Sequence, residues 1–400
     1  MIATAGNKGD SIRSDCFVQL ELKTEGGLHI ELASKVGALY ERTIQELCES
    51  VLRFYDIENA WLHIEDKGAL PFTMSARLEL CIKRLKSSYK DYLLPVLPQN
   101  ENLTARDINR RSRLYLPGNN PKLMINAGIY GSDGIILDLE DSVAPDRKEE
   151  ARYLVRNALR SVDFYGTERM VRINQIPAGL DDLNFIVPQP VNLILIPKCE
   201  LQADIVAVEE RIEQIKGQKN ETIHLMPIIE SALGVENAFE IASASDNVVA
   251  LAIGLEDYTA DLGAPRTNEA RESFYARTAV VNAARAAGKQ AIDSVFSDIG
   301  DMEALKANVQ ESKSLGFVGM GCIHPRQVTF INEGYAPDAV AIEKAKRIVD
   351  AYHQAVEKGS GVVALGSKMI DPPVVKRALK VIETAISTGQ LDKDWRTHND

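Results

Sequence analysis

Residues 134–145 read GIILDLEDSVAP. Ile135, Ile136 and Leu137 form an apolar run without alternation, the pattern of a strand buried on both faces, and it gives way at once to Asp138, Glu140 and Asp141. The same design recurs on either side. SRLYLPG precedes it, and RMVRIN, LILIPKCE, IHLMPIIE, VVALAIGLED, QAIDSVF and MGCIHP follow, with helical text between them. Strands alternating with helices imply right-handed parallel βαβ units. Eight such runs predict an α/β fold closed as a (β/α)8 TIM barrel of about 250 residues. Chemistry in such a barrel sits at the carboxyl ends of the strands, where loops vary without disturbing the core. The three carboxylates stand at such an end.

Outside the barrel the text changes character. PVLPQNENLTARD, with its prolines and amides and no regular period, reads as a linker, taken here as 98–109. Residues 1–97 predict a small α+β domain. Its strands are CFVQLEL, GLHIEL and AWLHIED, its second helix is SARLELCIKRLK, and its first helix is KVGALYERTIQELCESVLRFY with Val36, Leu39, Tyr40, Ile44, Leu47 and Val51 on one apolar face. The barrel occupies 110–335, and 336–400 reads as a helical segment for a lid or oligomerisation, interrupted by the Gly-rich EKGSGVVALGSKMIDPP.

Composition excludes several classes. The chain has 400 residues and a net charge of -11, so it lacks the basic face that grips nucleic acid. No apolar stretch reaches the roughly 18 residues that cross a bilayer, and MIATAGNKGDSIRSD lacks the apolar core of a secretion signal. The five cysteines are scattered without close pairs, which predicts reduced thiols and a cytoplasmic protein.

The strand ends supply the candidates for chemistry: Asp138, Glu140, Arg172, Lys198, Glu230, Glu256, Asp257, Asp293 and His324. Carboxylates without cysteine pairs favour a hard ion such as Mg²⁺, which takes one or two of them and leaves other positions to water or substrate. Glu230 and Asp257 end successive strands, and neighbouring strands lie about 4.8 Å apart, so the two can share an ion. An Arg at a third tip can grip a carboxylate through parallel hydrogen bonds. Together they suit a 2-oxo acid whose keto oxygen is polarised as a carbon–carbon bond forms or breaks. Each residue also has a plainer reading. Acids at strand ends cap helices, Asp141 above all. Arg172 equally neutralises Asp138 or Glu140, Lys198 reads as an electrostatic partner rather than a Schiff-base lysine, and His324 before Pro325 reads as a turn residue.

RSRLYLPGNNP, DGIILDLEDSVAPDRKEEAR, VRIN, PIIESALGV, AIGLEDYTADLG, AIDSVFSD, GCIHPRQ and GSKMIDPPVVKRA together resemble the β subunit of citrate lyase and the wider malyl-CoA and citramalyl-CoA lyase group, from about residue 110 to 380. The resemblance implies a Mg²⁺-dependent lyase that cleaves a 3-hydroxy-acyl thioester (citryl, citramalyl or malyl) into an acetyl thioester and a 2-oxo acid such as oxaloacetate. It implies Glu230 and Asp257 as metal ligands and Arg172 as the oxo-acid clamp. Gly254, Leu255 and Glu256 would offer backbone amides to the substrate carboxylate, and Asp138 and Glu140 would lie beside the ion or hold Arg172. Asp371 would be the acid or base at the acetyl carbon, delivered by a neighbouring subunit, which implies a homo-oligomer, a trimer or a multiple of it.

The front segment has its own likeness. GDSIRSDCFVQLEL and IEDKGALPFTMSARLELCIKRL are similar to the acyl carrier, or γ, subunit of citrate lyase, whose serine carries a prosthetic group derived from dephospho-CoA. That serine commonly stands two residues before an Asp, whereas Ser14 directly precedes Asp15 here. Either Ser14 is the attachment point with altered spacing, or the domain has lost its arm and only recognises thioesters or helps assemble the oligomer. A carrier would call for a transferase (α) subunit as partner. Two further readings stand beside the lyase: an aldolase acting on free hydroxy-oxo acids, and a non-catalytic carrier or scaffold.

Overall fold

The computed structural model describes residues 1–217, 221–267, 269–357, 363–365 and 368–396. The front domain is a sheet of β1 (Ile2–Gly6), β2 (Cys16–Leu22), β3 (Leu28–Ser34) and β4 (Ala60–Asp66), in the order β1-β2-β4-β3. The helix Gly37–Phe54 crosses over from β3 to its parallel neighbour β4, and the other pairs are antiparallel. Alternation sets the faces: Cys16, Val18 and Leu20 of β2 and Leu62 and Ile64 of β4 are buried, and their neighbours are less so. β1 was not among the expected strands.

One expectation for the first helix is corrected. It buries Ile44, Cys48, Val51 and Leu52, but Leu39 and Tyr40 are exposed. Residues 38–43 are exposed all round, so the first turns stand clear of the domain core and their apolar residues have nothing to pack on.

All eight apolar runs form strands: β5 (Ser112–Pro117), β6 (Gly134–Asp138), β7 (Glu168–Arg172), β8 (Leu193–Ile196), β9 (His224–Ile229), β10 (Ala250–Ile253), β11 (Gln290–Asp293) and β12 (Gly319–Cys322). They are parallel, and β12 pairs with β5 to close the barrel. Ile136, Met170, Leu193, Leu195, Met226, Ile228 and Ile292 form a core distinct from the larger one built on the surrounding helices, which is why these strands read as unbroken apolar runs.

The two domains meet across buried charge. The front domain's helix Pro71–Leu85 packs on the barrel helix Lys148–Ser161. Arg77 bonds to Asp15 through Nε and Nη2 at 3.1 Å each and to Glu150 through Nη1 at 2.8 Å. Arg156 pairs with Glu79. Beyond the barrel, helices Ala339–Glu357 and Pro372–Ser387 share a small core of Ala345, Ile348, Val349, Val375, Ala378 and Ile382. Of the Gly-rich stretch expected to form a lid, residues 358–362 and 366–367 lie outside the described residues. Val363–Leu365 and Lys368–Ile370 pair as an antiparallel hairpin. Among the described residues no helix is long and apolar enough to cross a membrane.

Candidate functional site

Register brings the first charges together. Asp138, last in β6, lies opposite Arg172, last in β7, and accepts hydrogen bonds from Arg172 Nε and Nη2 at 2.7 Å each. The pairing is bidentate, which fixes the plane of the guanidinium as well as its place. Below it lies the Tyr115 ring, 5.2 Å from Cζ. Arg172 Nη1 is 2.8 Å from Glu140 Oε2, yet that oxygen has no hydrogen bond in line with it. Burial favours a neutral Asp138, but the hydrogen bonds and charge of Arg172, with help from Ser142, outweigh it and hold the carboxyl below its usual range. Glu140 goes the other way: burial raises it despite Arg172 and Lys198.

The second cluster lies across the mouth. Glu230 follows β9 directly and is 5% exposed, while Asp257 stands in the first turn of the helix Leu255–Leu262. Burial, then the hydrogen bond shared with Asp257 and the negative charges of Glu140 and Asp257, push the Glu230 carboxyl up to about 8 against the pull of Arg172. A glycine makes room for it: a Cβ at Gly254 would come within 2.8 Å of Glu230 Cγ and 2.9 Å of its Oε2. Lys198, in a left-handed conformation, reaches Glu140 at 3.2 Å and Asp141 and Asp257 at 3.7 Å each. All three contacts are ion pairs.

Glu230 carries a consequence for pH. In the folded chain it keeps its proton up to about 8, whereas an unfolded glutamate loses it near ~4.3. The folded state therefore binds more protons across that window, and the stability of the metal-free protein should fall as pH rises through it and level off above. Thermal midpoints from about pH 5 to about pH 9 check this; Glu230→Gln should remove this part of the slope, and an unchanged slope in the variant would refute it.

Most of these groups share one cavity of about 400 Å³, lined among others by Arg113, Tyr115, Asp138, Asp141, Ser142, Arg172, Glu230, Gly254, Leu255, Glu256, Asp257 and Asp293; Glu140, expected beside the substrate, and Lys198 do not line it. The expected amides are only partly available. Gly254 N–H is taken by Ile229 O at 3.0 Å and Leu255 N–H by Ser294 Oγ at 3.1 Å, which leaves that of Glu256. The Glu256 side chain turns to Arg266. Asp141 is not a cap: it stays exposed at 55%, and Asp138 instead accepts from the amides of Glu140 and Ser142. Asp293 is held by Arg277 at 2.6 Å, and His324 caps its own helix through Nδ1. Asp371 caps the helix Pro372–Ser387, accepting from Val374 N–H at 3.1 Å, and does not line the cavity of its own chain. Ser14 lies outside the cavity in the turn between β1 and β2. Arg113, Tyr115 and Ser142 were missed, although Arg113 and Tyr115 are two apart in β5, so the pleat turns both inward.

Mg²⁺ fits these residues. Two carboxylates pressed together at the cost of a raised pKa are what a divalent cation relieves. Glu230 and Asp257 make a donor set of two that leaves other positions open, as Mg²⁺ prefers; among the described residues no group of three or more His, Cys, Asp or Glu converges as a metal site.

Comparison with known proteins agrees with this architecture. The model of the HpcH/HpaI aldolase/citrate lyase family matches residues 111–325, and that of the malonate decarboxylase delta subunit (MdcD) matches residues 4–85. Citrate lyase subunit beta of Leuconostoc mesenteroides subsp. cremoris is 41% identical over 290 residues, covering 71% of this chain and 96% of that protein. Human mitochondrial citramalyl-CoA lyase is 31% identical over 318 residues, 76% of this chain and 93% of the relative. The crystal structure of protein CitE from Mycobacterium tuberculosis in complex with magnesium, acetoacetate and coenzyme A superposes with a TM-score of 0.59 at 27% identity, covering 70% of this chain and 99% of that one. By its closed barrel, its strand-end charges and these matches, the chain belongs to the HpcH/HpaI aldolase/citrate lyase family.

Proposed function

We propose that this chain is a Mg²⁺-dependent carbon–carbon lyase that cleaves a 3-hydroxy-acyl thioester of the citryl, citramalyl or malyl type into an acyl thioester and a 2-oxo acid. The observation that carries this reading is the coupled pair Glu230 and Asp257 facing Arg172 across one cavity. Glu230 and Asp257 would hold the ion, which when bound supplies positive charge to polarise the oxo-acid oxygens. Arg172, its plane set by Asp138, would hold the acid's carboxylate with its remaining N–H groups, and the Glu256 amide at the helix start would add a donor. Incubation with citryl-CoA, citramalyl-CoA and malyl-CoA tests the reading: Mg²⁺-dependent release of acyl-CoA from one of them supports it, and turnover of free hydroxy-oxo acids alone would replace it with an aldolase.

Protonation of the thioester enolate needs a positioned acid. Asp371 suits that role only from a neighbouring copy, because in its own chain it caps a helix away from the cavity. Exposed Leu233, Phe239, Phe274 and Tyr275, on helices that pack together beside the barrel, offer an apolar face for such an oligomer. Asp371→Asn preserves the cap, since Asn serves as well as Asp there. Reassembling this variant with Glu230→Gln should restore activity that neither has alone; no recovery in mixed oligomers would refute a shared site.

The front domain's match favours a carrier role. Ser14 adopts a left-handed conformation (φ 58°) and donates its amide to Lys67 O at 3.0 Å, and the next residue, Asp15, is locked onto Arg77. The turn is thus fixed while the serine stays partly exposed. We read Ser14 as the attachment point of a dephospho-CoA-derived arm, loaded with acyl groups by a transferase subunit. Intact mass of the natively produced protein tests this: the increment should lie within residues 1–97 and vanish in Ser14→Ala, and an unmodified mass would assign free CoA thioesters instead. The five unpaired, buried cysteines suit a reducing cytoplasm.

A further inference from the structure

Five arginines rank among the largest fully buried side chains: Arg77, Arg110, Arg113, Arg156 and Arg277. Four of them are neutralised, by Asp15 and Glu150, by Glu168, by Glu79, and by Asp293. Arg113 differs. It is 1% exposed, and among the described residues its Nε has no acceptor and its Nη1 donates only to the Met226 thioether at 2.9 Å. Thioether sulfur is a weak acceptor, and a buried cation without a counter-charge is costly. Its N–H groups can be completed by an acceptor from outside the chain.

The place is the floor of the candidate cavity. Arg113 lines it from within the barrel, two residues below Tyr115, whose ring supports Arg172. Ala252, Gly254 and Gly321 line it beside Arg113. Gly321 stands in register with Arg113 on the neighbouring strand, and Val295 Cγ1 and the Tyr115 ring fill the place its Cβ would take, at 2.7 Å and 3.1 Å.

Resting on the lyase reading, we infer that Arg113 determines specificity: it binds a second carboxylate on the substrate, at the end remote from the keto acid held by Arg172, so that the site selects a dicarboxylic 2-oxo acid over a monocarboxylic one. No bond changes at Arg113; it is a positioning and selecting residue.

Oxaloacetate and pyruvate differ by this one carboxylate. Calorimetric titration of the full chain in Mg²⁺ should give oxaloacetate a preference of about tenfold or more, the worth of a hydrogen-bonded charge pair. In Arg113→Met that preference should collapse while pyruvate affinity stays within about twofold. The unliganded variant should melt no lower than the parent, because an unpaired buried charge has been exchanged for an apolar side chain of similar reach. A variant that keeps the preference, a parent that has none, or a variant that fails to fold would each overturn the inference; in the first two cases Mg²⁺-dependent binding of both acids leaves the lyase reading standing. A parent that binds neither acid would overturn both.

Discussion

Glu230→Gln is expected to lose about a thousandfold or more in kcat/KM, equivalent to about 4 kcal/mol of transition-state stabilisation, and to lose Mg²⁺ affinity with it. The substitution is chosen for what it keeps. Glutamine has the same shape, fits beside Gly254, and can still donate to Asp257 as the protonated Glu230 does. What disappears is the negative charge. Since that charge is disfavoured in the metal-free protein, where burial and the neighbouring acids push Glu230 up to about 8, its removal should leave the fold intact and the thermal midpoint near neutral pH equal or higher. A stable, inactive variant with weakened Mg²⁺ binding in calorimetry is the expected outcome. Near-normal turnover at saturating Mg²⁺ would show that Glu230 is not a ligand.

Arg77→Ala carries the largest expected cost in stability, about 3–5 kcal/mol. Arg77 closes a ring that runs from Asp15 through Arg77 to Glu150, from Glu150 to Arg147 at 3.1 Å, from Arg147 to Asn7, and from Asn7 back to Asp15 at 2.8 Å. Removing Arg77 leaves Asp15 without a cation and Glu150 with Arg147 alone, and both carboxylates are under 5% exposed. The consequence reaches the site, because Arg147 ends the loop that carries Glu140, Asp141 and Ser142. Urea unfolding should show a lower midpoint, and limited proteolysis should cut faster between the domains, at residues 86–111. An unchanged midpoint and cleavage rate would mean that the ring contributes nothing net. In contrast, Arg84 with Glu149, a pair at 2.6 Å that is 32% and 51% exposed, lies across the same boundary but in water's reach, and its loss should be worth under about 1 kcal/mol.

The barrel was legible because parallel strands covered on both faces leave continuous apolar runs, and all of them fell where their residues said. Strand-end position likewise singled out Asp138, Arg172, Glu230 and Asp257, which the fold brings to one cavity. Other features were hidden for definite reasons. Arg113 is second in SRLYLP, where a charge at the start of a strand reads as an outward-facing residue; the pleat it shares with Tyr115 turns it into the barrel. β1 lies in IATAG, too short and too small in its side chains to declare a strand. Arg77 and Glu79 fell within a stretch that reads as an amphipathic helix, but their partners are 62 and 73 residues away for Arg77 and 77 for Glu79, so the pair with Asp15 appears only when the front domain folds, and those with Glu150 and Arg156 only when it meets the barrel. Asp141 looked like the cap because it precedes Ser142, yet the helical elements that follow have no side-chain cap, and Asp138 is the residue that accepts from the amides of Glu140 and Ser142 in the turn.

The most direct measurement is a crystal structure of the protein grown with Mg²⁺ and oxaloacetate. One ion bound by both Glu230 and Asp257 at about 2.1 Å, with the oxo acid completing its shell and one carboxylate on Arg172, is the expected result. An ion held elsewhere, or a Glu230 side chain turned away from it, would contradict the account.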